Sequence, residues 1–150
     1  MRIRNWYPMA AISVLFACAT ITATSPPRTS TEELARNAVA ELSSAYESRD
    51  ERGFMALVSA RYLDGYGDLQ ARLENSLDTA SSIEVEIVPE RIWTGDEKNE
   101  VFMDARWKKT RMTGSNRPPE VTAGRVTFIF IRSESDVLKL FSQGGDRAFP

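Results

Sequence analysis

The chain of 150 residues is long enough for one domain, and at 42% apolar and 27% charged it has the composition of a folded protein. It contains no histidine and one cysteine, which excludes imidazole general bases, Ser-His and Cys-His pairs, intramolecular disulfides and nearly all zinc or non-haem iron sites; no metal and no cofactor is expected. Arg2 and Arg4 are the only charges before Arg28, so the rest of the chain sets 17 basic residues against all 21 acidic ones, and this net charge of −4 argues against nucleic acid as a partner.

The N-terminus couples Arg2 and Arg4 to an apolar run, Met9 to Ile21, with small residues at its end. A basic start, a short apolar core and small residues behind it form a secretory signal. The core is shorter than the ~20 apolar residues of a comfortable membrane span, although an uncleaved anchor stays open because residues 5 to 27 are uncharged. Within the run, Leu15-Phe16-Ala17-Cys18 resembles the lipobox of bacterial lipoproteins, departing from it at Phe16. That resemblance implies a signal peptide over 1–17, a lipid on Cys18 and a tether over 18–30. It also implies attachment to the cell envelope, with Ala19 after the cysteine pointing to the outer membrane. The alternative is an ordinary signal peptide cut after Ala17-Cys18-Ala19, leaving a secreted or periplasmic protein.

A single domain is expected over 31–150. Ser30-Thr-Glu-Glu33 has capping-box spacing, and Leu34, Ala35, Ala38, Val39, Leu42, Ala45 and Tyr46 recur at helical intervals, which predicts a helix over about 31–48. Asp50 is placed to cap a short second helix bearing Phe54, Leu57 and Val58. After the break at Gly65 and Gly67, Asp68 is placed to cap a third, with Leu69, Leu73 and Leu77 four residues apart.

The period then changes to two. Ile83-Glu-Val-Glu-Ile87 alternates as a half-buried strand does, and Pro89 suggests a bulge or an edge. After the turn at Thr94-Gly-Asp-Glu, Val101, Met103, Ala105 and Trp107 alternate with Phe102, Asp104, Arg106 and Lys108. A polar loop from Thr113 to Pro119 leads to Val126–Ile131, and a turn at 133–136 leads to Val137–Phe141. Three helices followed by a four-stranded antiparallel meander make an α+β architecture. Centring the first hairpin near Asp96 pairs Val85 with Trp107, Ile87 with Ala105, Glu86 with Arg106 and Glu84 with Lys108. Apolar residues then share one face, with Phe128, Phe130, Leu138 and Leu140 added to it.

This order of elements resembles the nuclear-transport-factor-2-like superfamily, a cone of helices on a curved sheet. The stretches Tyr46-Glu-Ser-Arg-Asp50, Gly53-Phe-Met-Ala-Leu-Val-Ser59 with Tyr62, and Leu138-Lys-Leu140 carry the likeness, with Leu138 standing where many members have tryptophan. It spans about 31–149. The superfamily includes isomerases, cyclases, dehydratases, hydrolases, transport factors and non-catalytic binding domains, so fold does not fix function. No catalytic motif of any member is matched residue by residue.

Asp104 is the most tempting catalytic carboxylate, two residues from Arg106, but the expected register puts both on the polar face among ordinary ion pairs. Tyr46, Tyr62 and Tyr66 are candidate hydroxyl donors at a pocket mouth, or core residues with a wet tip. Trp93 and Trp107 are candidates for an aromatic cavity wall, and helix–sheet packing accounts for them equally. Val85, Met103, Trp107 and Phe128 are the expected pocket lining. Arg106, Lys108, Lys109, Arg111, Arg117 and Arg125 concentrate positive charge around the second hairpin, to face an acidic partner or anionic lipid, or simply water. Asp64-Gly-Tyr-Gly-Asp68 has too few ligands for a calcium loop. The inner face is almost wholly apolar. The reading is therefore a non-catalytic, envelope-tethered domain that binds a small apolar ligand or a protein partner, possible as a homodimer through its sheet. Its rivals are a cofactor-independent isomerase, dehydratase or cyclase using Asp and Tyr, and a structural module whose cavity is filled by its own side chains.

Overall fold

Ser30 opens the folded region by accepting, on its Oγ, the N–H of Glu33 at 3.1 Å, which satisfies one of the four orphan donors of a helix start. The computed structural model describes residues 29–96, 99–114 and 116–150. The expected signal peptide, Cys18 and the tether up to residue 28 lie outside the described residues. Helix α1 is Thr31–Glu47, with Glu32 and Glu33 in its first turn, where the helix dipole favours acids. Its buried stripe is Ala35, Ala38, Val39, Leu42 and Tyr46, as the spacing predicted. The helix stops where Arg49 takes a left-handed φ of 60°, and Asp50 then caps α2, Glu51–Ala56, by accepting from the N–H of Gly53 at 2.9 Å.

Helix α3, Tyr66–Thr79, corrects one expectation. Its N-cap is Gly65, at φ 90° and with no side-chain cap, and Asp68 lies inside the first turn instead of capping it. The glycine breaks the chain earlier than an Asp cap would, because only glycine adopts that φ without steric cost. Leu69, Leu73 and Leu77 form the buried stripe.

Four strands follow, β1 Ser82–Thr94, β2 Glu100–Met112, β3 Glu120–Arg132 and β4 Leu138–Gly145, paired in that order as an antiparallel meander. Val85 pairs with Lys109, Glu86 with Lys108 and Ile87 with Trp107, a two-residue shift from the expected register. Thr94 pairs with Val101, so the turn is centred beyond Asp96, while a bulge between Pro89 and Arg91 takes back one position. A shift of two keeps the side chains up to Pro89 on their predicted faces, while beyond the bulge Arg91 and Trp93 turn outward and Ile92 inward. Val101, Met103, Ala105 and Trp107 are buried with Val126, Phe128, Phe130, Leu138 and Leu140 against the helices. Each large apolar side chain enclosed there contributes about 1.5–3 kcal/mol.

The two edges of the sheet differ. The chain after α2 runs beside β4, where Val58 bridges Leu140, the N–H of Ser59 donates to Leu140 O at 2.8 Å and that of Leu140 to Leu57 O at 2.9 Å. Among the described residues no strand lies beyond β1. After β4, Gly145 at φ 79° turns the chain back over the inner face, where Ala148 and Phe149 are buried.

Candidate functional site

A cone of helices on a curved sheet offers its interior as the natural ligand site, and here that interior is occupied. Phe149 is 1% exposed. Its ring lies 5.3 Å from Phe54, 5.7 Å from Tyr46 and 5.9 Å from Phe128, the first two contacts being edge-on, the geometry aromatic quadrupoles favour. Three side-chain contacts hold the backbone of the segment that carries it. The Trp107 indole N–H donates to Asp146 O at 2.8 Å, Lys109 Nζ to Ala148 O at 3.0 Å, and the Phe149 N–H to Gln143 Oε1 at 3.1 Å. Arg147 closes the segment from outside on Asp64, at 2.9 Å.

The tyrosines expected at a pocket mouth are held inside this packing. Tyr46 is fully buried, its hydroxyl 2.7 Å from Ser76 Oγ. Burial pushes its pKa up, partly opposed by the Ser76 hydrogen bond and the Arg111 charge. Tyr62 is buried and its hydroxyl accepts from Gln143 Nε2 at 3.3 Å. Half-buried Tyr66 donates to Met55 O at 3.3 Å. Lys109 sits over the Trp107 and Tyr46 rings, 5.3 and 5.9 Å from their centroids. Its pKa is lowered, first by burial and then by the Arg111 charge.

Asp104 is on the opposite side of the sheet. It is half-buried and accepts from the Thr127 hydroxyl at 2.7 Å. The expected pairing of Arg106 with Glu86 gives way to an ion pair with Glu90 at 2.6 Å, and Arg125 approaches the same carboxylate at 4.0 Å. Glu90 follows Glu86 and Val88 on the outer face, within reach of both arginines, and the bulge turns Arg91 to that face as well. Asp104 therefore borders only a shallow depression of about 310 Å³ with Glu90, Arg125 and Thr127.

Of the residues expected to line a pocket, Met103 and Phe128 have no exposed surface and Trp107 is buried beneath the Asp146–Phe149 segment, while Val85 borders a groove beside α1. Trp93 belongs to no interior wall. It stacks on Phe102 on the outer face, centroids 5.3 Å apart and planes at 11°, with Arg91 over its ring at 4.7 Å. The basic residues of the second hairpin divide between faces. Arg106, Lys108 and Arg125 are exposed, while Arg111 ties β2 to α3 through Ser76 O and Thr79 Oγ1, at 3.3 and 2.9 Å. Among the described residues no group of acids could hold a metal ion, and no helix is long and apolar enough to cross a membrane.

Solved structures share this arrangement. A conserved protein from Planctomyces limnophilus matches with a TM-score of 0.67 at 18% identity, over 75% of this chain and 91% of its own. A candidate scytalone dehydratase from Novosphingobium aromaticivorans gives 0.67 at 10%, over 75% and 80%. A nuclear-transport-factor-2-like superfamily protein from Salmonella enterica gives 0.65 at 10%, over 81% and 95%. The fold is nuclear-transport-factor-2-like. At such identities the likeness is one of fold alone, and fold carries no activity with it. No family model matches the chain, and no curated protein matches it in sequence.

Within this nuclear-transport-factor-2-like cone, the residues that sequence reasoning missed are Phe149, Gln143 and Ser76. Ala148-Phe149 is an isolated apolar pair behind a Gly-Gly turn, and only that isolation marks it. Gln143 is a polar residue at an inward-facing place opposite Phe128, and alternation from Leu138 and Leu140 would have pointed to Ser142 instead, because a bulge opposite Ile129 and Phe130 shifts the parity of β4 by one.

Proposed function

We propose that the chain is a non-catalytic protein-binding module, exported and held at the cell envelope by a lipid on Cys18. The observation that carries the non-catalytic part is Phe149 in the cone interior, packed on Tyr46, Phe54 and Phe128 where a substrate or apolar ligand would sit. An isomerase, dehydratase or cyclase needs an acid or base reaching into a cavity. The strand carboxylate, Asp104, faces out, and the inward hydroxyls of Tyr46 and Tyr62 are engaged by Ser76 and Gln143. A filled interior also weighs against a small apolar ligand and leaves the surface as the working part. For the homodimer, the outer-face patch of Trp93, Phe102, Ile129 and Ile131 is the proposed contact, a half-buried apolar cluster on one side of the sheet.

Native mass spectrometry of the gently purified full-length chain tests the reading. The expected spectrum shows the chain with its covalent lipid and no further bound mass, with a dimer that Phe102→Asp dissociates. A reproducible bound small molecule would return the ligand-carrier and enzyme readings to the front. For the anchor, Cys18→Ser is expected to leave the membrane fraction and lose the lipid mass. Retention in the membrane at unchanged mass would end the lipid assignment.

A further inference from the structure

We infer that the free edge of β1, over Ser82–Val88, is a docking strand for an extended peptide segment of a partner protein that alternates apolar and basic residues. This rests on the reading of the chain as a protein-binding module and names one surface and the chemistry it selects.

The backbone supplies the first argument. Of the two sheet edges, that of β4 is covered by the bridge at Val58 and the hydrogen bonds of Leu57 and Ser59. Along β1, the Val85 N–H points away from β2, since it donates to the carboxylate of Glu47 at 2.6 Å. In an antiparallel ladder such groups alternate, so Ile83 and Ile87 direct their N–H and C=O groups to the same open side. Glu47, an exposed side chain at the last residue of α1, occupies the place that a partner strand's carbonyl would take. A swing of that one carboxylate into water frees the position.

Space beside the edge supplies the second. Between α1 and β1 runs a groove of about 400 Å³ floored by Val39, Ala40, Val85 and Ile87, with Pro89 at one end. A second depression of about 450 Å³ continues past Glu47 and Val85 toward Glu84 and Glu86. Side chains from one face of an added strand would enter the apolar part. Those from its other face would lie beside Glu84 and Glu86. The site ends at Pro89, which has no N–H to offer, and at the bulge that follows it.

Charge supplies the third and decides the occupant. Among the described residues none of Glu47, Glu84 and Glu86 is held in an ion pair. A second copy of β1 added antiparallel would set Glu84 and Glu86 against the same residues of the copy, and like charges directly opposite destabilise a sheet pair. Edge charges of this kind guard against self-pairing. They leave the edge open to a strand with lysine or arginine at those positions, which turns the same contacts attractive.

The test is fluorescence anisotropy with the full-length chain and labelled peptides long enough to span Ser82–Val88. One peptide alternates valine and lysine, a second alternates valine and glutamate, and a third scrambles the first. The alternating valine–lysine peptide is expected to bind best and to slow amide exchange at Ile83 and Ile87. In the variant carrying Glu84→Lys and Glu86→Lys its affinity is expected to fall about tenfold and the valine–glutamate peptide to gain, the scale of two cross-strand pairs reversed in sign. Ile87→Pro, which removes an outward N–H and leaves the β1–β2 ladder bonded, is expected to weaken it as well. Equal binding of the scrambled peptide, or an affinity untouched by the charge reversal, overturns the edge assignment. Loss of peptide binding in Phe102→Asp alone would move docking to the sheet face, sinking the edge while the protein-binding reading stands.

Discussion

Phe149 and Tyr46 meet edge-on, ring centroids 5.7 Å apart and planes at 85°, and through this contact the segment after β4 closes the cone against α1. Both rings are buried. The penultimate residue of this sequence thus packs as tightly as the buried stripe of the first helix.

Phe149→Ala should accordingly behave as a core truncation, not as a change near an end. Large-to-small changes of a buried phenylalanine cost about 3–5 kcal/mol, part of it from the cavity left behind. Urea unfolding should show a lower midpoint with an unchanged slope. A loss below about 1 kcal/mol, the scale of an ordinary surface substitution, would show that Phe149 is not part of the core.

Trp107→Phe asks whether the hydrogen bond to Asp146 O, at 2.8 Å, holds that segment in place. The phenyl ring keeps most of the apolar contact and removes the donor, leaving a carbonyl to find water, at a cost of about 1–3 kcal/mol. Hydrogen exchange is the discriminating readout. The Phe149 amide, bonded to Gln143 Oε1, should exchange faster while amides in α1 change little. Equal acceleration everywhere would mean global destabilisation instead.

Much of this architecture could be read from residue spacing, and the shortfalls have a common cause. Ser30, Asp50, the Leu69-Leu73-Leu77 stripe and the bulge at Pro89 are local signals, and the structure has them where spacing placed them. Alternation gives the parity of a strand but not its pairing partner, so the faces of β2 and of β1 up to Pro89 came out as expected while their register moved by two, and the bulge reversed the faces beyond it, Trp93 included. Asp68 resembled a cap because sequence offers a capping side chain and conceals that Gly65 at φ 90° has already started the helix. The filled interior depends on contacts between residues far apart in the chain. Phe149 reaches Tyr46 only because Gly145, at φ 79°, sends the backbone past Arg125 O, where a Cβ would sit 2.9 Å from the oxygen. No local pattern encodes that meeting.

Half-buried Lys109 and buried Tyr46 make stability depend on alkaline pH in two opposite senses. The folded Lys109 pKa is lowered from 10.5, chiefly by burial. Between that lowered value and 10.5 the unfolded chain holds a proton the folded one has released, so stability rises with pH across that window. The folded Tyr46 pKa is raised from 10.0, again chiefly by burial. Its contribution is complete below 10.0 and is lost as pH climbs toward the raised value, because only the unfolded phenol ionises readily there. The midpoint of urea unfolding should therefore rise as the solution becomes alkaline and then turn over. Lys109→Met should flatten the rise and Tyr46→Phe the fall, each judged as a difference from the parent protein.

The Tyr46 and Ser76 hydroxyls, 2.7 Å apart, join α1 to α3 across thirty residues of sequence. Removing either one leaves the other half-satisfied in a place water reaches poorly, which costs about 1–3 kcal/mol. Removing both leaves no polar group behind. The double variant carrying Tyr46→Phe and Ser76→Ala should therefore lose less than the two single variants together, with a coupling of about 1 kcal/mol in a double-mutant cycle. Ser76 also offers its carbonyl to Arg111 at 3.3 Å, a contact through the backbone that Ser76→Ala retains, so the cycle isolates the hydroxyl pair. Strict additivity would mean that each hydroxyl finds another partner when released, and that the α1–α3 contact is held by its apolar stripes alone.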